Sequence, residues 1–273
     1  MTTKPIVAGA DGSTESLLAV EWAAREATLR GAPLRIVSAA EIFPRMTLPP
    51  HGVDFETVAT SISKDRDQAL AAAAKAAAAM APGLLIDTDP LDGPPAQAVT
   101  YSGSGALMLV VGSRGLSAFA AMTLGSVSRY AAMHASCPVV VVREETMAVH
   151  RLVVVGIRDP EDCASALAFA FEEAQLHKAH LRAVHVWQSP DRQTIGELDD
   201  LLNDWQGKYP GVDVSQEVVH GHPGGVLADL SARADLVVLG RHGRSGLTLP
   251  GPARVVHAVM NHAHGPVVTV PPA

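Results

Sequence analysis

Three glycines and a serine, spaced Gly112-x2-Gly115-x9-Gly125-Ser126, form the stretch of this chain best suited to chemistry. Glycine lets backbone approach a ligand closely and adopt positive φ, and a Gly-Ser pair ahead of a periodic apolar stretch marks the opening of a helix. The N–H groups of Ser126, Val127 and Ser128, with the two serine hydroxyls, would then stand at a positive helix end, a corner suited to an anion such as phosphate. Tight turns after a strand would use the same glycines. Near the start of the chain, Asp11 in AGADGS supplies an acceptor-only carboxylate that could take both hydroxyls of a ribose. Arg114 and Arg129 would face either the phosphate or solvent.

The elements that must hold these residues follow from periodicity. Short β-branched runs alternate with longer helical stretches, the pattern of βαβ units around a parallel sheet. Strands are expected near Pro5 to Ala8, Leu34 to Ser38, Leu84 to Thr88, Ala106 to Val111 and Pro138 to Val142. ALMLVV and PVVVV are apolar throughout, so helices should cover both faces of the sheet. The first helix, from about Glu15, should set Leu18, Trp22, Ala23 and Ala27 on one face and stop at Gly31. The resulting α/β fold is an open doubly wound sheet, whose ligands lie beyond the carboxyl ends of the strands. The stretch from Glu41 to about Asp54, with Phe43, Pro44 and Pro49-Pro50, would be either a lid or a connection.

Laid over itself, the chain repeats. A shift of 147 places Val7 on Val154, Gly9 on Gly156, Glu26 on Glu173 and Val37 on Val184. Past the middle of each copy the shift becomes 128, pairing Pro95 with Pro223, Gly112 with Gly240, Gly115 with Gly243 and Pro138 with Pro266. The second copy is therefore 19 residues shorter between its second and third strands. A period of this length is a duplicated domain, far beyond that of a solenoid repeat. The expected domains are residues 1–145 and 150–273, joined near Arg143 to Arg151.

The runs IVAGADGSTESLLAVEWAAREATLRGAPLRIVSA, GPPAQAV, and LVVGSRG followed by LGSVSRYAAMHASCPVVVV resemble the universal stress protein family in its tandem form, and the resemblance covers nearly the whole chain. It implies five-stranded parallel sheets of order 3-2-1-4-5 and ATP, with or without Mg, bound across the ends of the first and fourth strands. It further implies that Asp11 binds ribose, that the Ala39 backbone meets adenine, and that Gly112, Gly115, Gly125, Ser126 and Val127 cradle the phosphates. Final strands that pair would make the chain a pseudo-dimer, and a homodimer of whole chains stays open. The second copy departs from this pattern, with Arg158 at the Asp11 position and Ala253-Arg254 for Gly125-Ser126, after Pro250-Gly251-Pro252. Either that site has decayed, or Arg158 and Arg254 serve a different anion.

Composition bounds the remainder. With 273 residues, 48% of them hydrophobic, the chain can bury two cores of ordinary size. A net charge of −7 and a pI near 5.9 leave no electrostatic footprint for nucleic acid or an acidic membrane. The alanine-rich run from Leu70, interrupted by Lys75, is too short and too weakly apolar to span a bilayer and reads as an exposed to half-buried helix. The start lacks a signal-peptide pattern, and Cys137 and Cys163 fit reduced thiols, so a cytoplasmic location is expected. The histidine pairs His177/His180, His220/His222 and His262/His264 match no metal signature, and no metal site is expected. Without a Walker motif, nucleophile elbow or local catalytic grouping, no catalytic residue is assigned. The expectation is a stress-response protein that binds an adenine nucleotide in its first domain and signals through conformation or an unidentified protein partner. A slow ATPase or self-phosphorylating protein, on Ser126 or Ser128, and a nucleotide-free interaction module are the alternatives.

Overall fold

The computed structural model describes residues 4–41, 55–115, 124–143, 149–159, 163–187, 192–241 and 252–272. The chain forms two compact units, Met1–Val142 and Arg143–Ala273. In the first, β1 (Ile6–Gly9), α1 (Thr14–Arg30), β2 (Leu34–Ala40), α2 (Phe55–Met80), β3 (Ile86–Asp92), α3 (Pro95–Ser102), β4 (Met108–Gly112), α4 (Ser126–His134) and β5 (Val139–Val142) follow one another. The sheet order is β3-β2-β1-β4-β5, with parallel pairing throughout. β1 and β5 are buried at every position, as expected for strands covered on both faces.

The second unit repeats this plan with β6 (Leu152–Ile157), α5 (Ala164–His177), β7 (His180–Trp187), α6 (Arg192–Lys208), β8 (Val214–His220), α7 (Pro223–Leu230), β9 (Leu236–Gly240), α8 (Pro252–His262) and β10 (Val267–Val270). Its order, β8-β7-β6-β9-β10, is again third, second, first, fourth, fifth. Register is kept residue for residue under the sequence offsets. Ile6 lies opposite Leu34 as Val153 lies opposite Leu181, and Leu109 opposite Val139 as Val237 opposite Val267. β2 ends at Ala40 and β3 starts at Ile86, whereas β7 ends at Trp187 and β8 starts at Val214, so the shorter connection falls where the offsets change.

The other strands of the first unit lie within two residues of their expected limits, and β3 departs most. β3 runs from Ile86 to Asp92 rather than from Leu84 to Thr88. Its position at the edge of the sheet explains this: a strand paired on one side tolerates polar residues and Pro90, and Leu85 stays largely exposed. On α1 the buried residues are Ser16, Ala19, Val20, Ala23, Ala24, Glu26 and Ala27, with Leu18 and Trp22 only half-buried. Small residues on the buried face bring the helix close to the sheet. Gly31 closes α1 at φ 60, in the left-handed region. The alanine-rich α2 buries Ala69, Leu70, Ala73 and Ala77 and exposes its other face. Among the described residues no helix is long and apolar enough to cross a membrane. The stretch expected as lid or connection, apart from Glu41, lies outside the described residues.

Candidate functional site

In the first unit the carboxyl ends of β1, β2 and β4 open onto a cleft of about 650 Å³. Asp11, Ala39, Gly112, Gly115, Gly125, Ser126, Val127 and Ser128 all stand on its wall. Residues scattered over more than a hundred positions are thus gathered at the crevice where doubly wound sheets hold ligands.

At the end of β1, Gly12 takes φ +87 and the chain turns into α1. Ser13 caps that helix by accepting the Ser16 N–H at 3.2 Å. The Ser13 N–H and hydroxyl both donate to Asp11 Oδ1, at 3.0 and 2.5 Å. The Ser16 hydroxyl donates to the Ser13 carbonyl at 2.9 Å. Asp11 is therefore a structural part of the turn as well as an acceptor at the cleft.

Packing explains two of the three motif glycines. A Cβ on Gly112 would stand 2.7 Å from the Glu15 carbonyl carbon and oxygen and 2.9 Å from the Ser16 nitrogen. The close packing of α1 on β4 therefore demands glycine there, whatever else the position does. A Cβ on Gly115 would run into the Asp11 carboxylate. Gly125 has neither constraint: its φ is −72, and a Cβ would make ordinary contacts at 3.4 to 3.5 Å with Ser128 Oγ, the Arg114 Cα and the Ser113 carbonyl. Positive φ, one reason the sequence suggests for glycine in this motif, does not apply at Gly125.

Gly125 caps α4 without a side chain, and its N–H donates to the Ser113 carbonyl at 2.8 Å. The first turn of α4 thus presents its N–H groups at the wall, with no acidic residue among them. The expectation for the Ser128 hydroxyl is corrected: it points inward and donates to the Ser113 carbonyl at 3.1 Å and the Gly125 carbonyl at 3.2 Å, stapling α4 to the end of β4. Ser126 is exposed.

Among the described residues Arg114 is the cation on the wall; its Nη2 lies 3.3 Å from Glu15 Oε1. Arg129 is exposed on α4 and is not among the lining residues described. Sequence reasoning passed over Ser16, Val99 and the Pro94-Pro95-Ala96 corner at the start of α3, which also stand on the wall. The GPPAQAV run carried the signal for the last of these, because its proline pair suits the first turn of a helix, here the turn that lines the cleft.

The matching place in the second unit holds a pocket of only about 80 Å³. Val186 stands where the first copy has Ala39, Leu227 where it has Val99, Leu239 where it has Val111 and Val256 where it has Ser128. Leu227 reaches so far across that its Cδ1 would lie 2.8 Å from a Cβ on Gly156. α8 begins at Pro252, so Ala253 falls inside the helix, whereas Gly125 sits ahead of α4 in extended backbone. Arg158 lines the pocket and is exposed; Arg254 is exposed on the first turn of α8. Gly243 and the Pro250-Gly251 pair lie outside the described residues.

A sequence model of the Universal stress protein family matches residues 2–143 and again 150–271. A universal stress protein of Mycolicibacterium smegmatis is 34% identical over 286 residues, covering 98% of this chain and 97% of its own. Another, from Mycobacterium tuberculosis, is 33% identical over 287 residues, covering 96% and 95%. Among solved structures, a universal stress protein from Archaeoglobus fulgidus superposes with a TM-score of 0.75 at 17% identity, covering 99% of this chain and 97% of that one, a likeness of fold. Two family matches in one chain, full-length relatives above 30% identity and a repeated sheet order agree: this chain belongs to the universal stress protein family, in tandem form.

Proposed function

We propose that the first copy binds ATP or a related adenine nucleotide, that the second copy does not, and that the chain acts in the cytoplasm as a nucleotide-responsive signalling or interaction protein. The observation that carries this reading is Gly125. The fold explains Gly112 through the α1 backbone and Gly115 through Asp11, but it would accept a side chain at Gly125. A serine or asparagine there would also cap α4 at least as well. Glycine at a position the protein does not itself require, ahead of a helix N-terminus in a cleft of about 650 Å³, fits the close approach of a phosphate. Asp11 and Ala39 on the same wall suit a ribose and an adenine.

Gly125→Ala separates the two roles. Its effect on stability should be no more than the weaker helix cap, about 0.5–1 kcal/mol. ATP affinity should fall by about fivefold or more, because a methyl group would crowd the phosphate. Calorimetric titration and thermal melting of the same preparation measure both quantities; unchanged ATP affinity would count against a phosphate at this corner.

Exposure of Ser126 at the first position of α4 favours one enzymatic variant of the proposal. Time-dependent transfer of labelled γ-phosphate to Ser126, abolished by Ser126→Ala, would turn passive binding into self-phosphorylation.

A further inference from the structure

The cleft wall carries little positive charge for a site proposed to hold phosphates. Among the described lining residues Arg114 is the cation and Asp11 an anion, and Arg114 is engaged already by Glu15 at 3.3 Å. Glu15 belongs to the first turn of α1, where the helix N-terminus favours its carboxylate. It is held at the cleft because α1 packs so tightly on β4 that Glu15 backbone atoms would lie 2.7 Å from a Cβ on Gly112. The two side chains are 38% and 26% exposed, so the pair is weak, in water, and able to exchange partners. A phosphate oxygen competes well for guanidinium, because the planar fork matches phosphate as it matches carboxylate.

We infer that Arg114 selects phosphorylated ligands in the first-copy cleft and that Glu15 is its built-in competitor, which a phosphate must displace before Arg114 can serve it. This rests on the nucleotide reading above. It assigns Glu15, which stands beside Arg114 but is not among the described lining residues, a part in the affinity of the site. It also makes selectivity a matter of phosphate charge: adenosine leaves the Glu15–Arg114 pair in place, whereas ATP exchanges it.

The test is a four-way set of the intact chain: wild type, Glu15→Gln, Arg114→Gln and the double variant, each titrated calorimetrically with ATP and with adenosine. Glu15→Gln should raise the ratio of ATP to adenosine affinity by about two- to fivefold, the worth of an exposed ion pair. Arg114→Gln should lower the ratio by about tenfold. In the double variant the gain from Glu15→Gln should vanish, since no arginine remains to be released. An equal gain from Glu15→Gln with and without Arg114 would overturn the exchange, because a general negative field would then account for it. No gain in either background would overturn it too, while leaving nucleotide binding intact. Wild-type protein that binds neither ligand would overturn both the exchange and the nucleotide reading.

Discussion

Rewriting the first copy with the residues of the second, Asp11→Arg together with Gly125→Ala and Ser126→Arg, is expected to lower ATP affinity by about a hundredfold or more. Removing the carboxylate forfeits a charged hydrogen bond worth roughly 1.5–3 kcal/mol. A side chain at the close-approach position adds a further cost of roughly 1–3 kcal/mol through overpacking. If the terms add, roughly 1.4 kcal/mol per decade gives the stated loss. Two new arginines would attract a triphosphate and restore part of it. Arginine has no acceptor for a ribose hydroxyl, so ligand held that way should lose selection for the sugar and base. Because Asp11 Oδ1 also accepts the Ser13 N–H and hydroxyl, the triple variant should be somewhat less stable. Asp11→Asn keeps an oxygen for Ser13 and isolates the contribution of the charge. ATP titration that finds the triple variant within threefold of wild type would refute the assignment of these three positions.

The second large effect falls on the fold. Gly112→Ala should destabilise the first copy by about 1–3 kcal/mol, since its Cβ would meet backbone atoms of Glu15 and Ser16 that cannot swing aside. Hydrogen exchange read amide by amide suits a two-unit chain, in which a single melting temperature is poorly defined. Protection in β1, α1 and β4 should fall by about five- to 150-fold, with the second unit unaffected. Unchanged protection would contradict the close approach of α1 to β4. Gly112→Ala and Gly125→Ala therefore make opposite predictions, one chiefly for stability and the other chiefly for binding, although both glycines belong to one motif.

That difference shows where the sequence stops being legible. The duplication followed from the offsets, because most strands keep apolar residues at matching positions in both copies, whereas the strand order came from the family resemblance and the shared register was not read from sequence. Part of the cleft wall was legible as well, since glycines at strand ends and a Gly-Ser pair opening a helix carry local signals, whereas Ala39 came from the family resemblance and Ser16 and Val99 from neither. What no local signal carried was direction. The Ser128 hydroxyl turns inward because the Ser113 carbonyl, fifteen residues away in sequence, lies beneath it. Gly112 is glycine because of a helix a hundred positions earlier, and Glu15 reaches Arg114 for the same reason. The limits of β3 were misplaced because an edge strand needs no apolar run, so periodicity pointed to Leu84 and Leu85 instead.

In the second copy the substitutions read from sequence and the volumes in the structure point the same way. Arg158 reverses the charge at the Asp11 position, and Val186, Leu227 and Leu239 fill space that Ala39, Val99 and Val111 leave open. A pocket of about 80 Å³ is far too small for a nucleotide, while 650 Å³ lies within the usual range for a ligand of that size.

The most direct test of this asymmetry is the stoichiometry of ATP binding to the intact chain by calorimetry, with protein concentration fixed by amino-acid analysis. One ATP per chain is expected, abolished by the triple substitution in the first copy. Two ATP per chain with similar affinities, or one that survives that substitution unchanged, would contradict it.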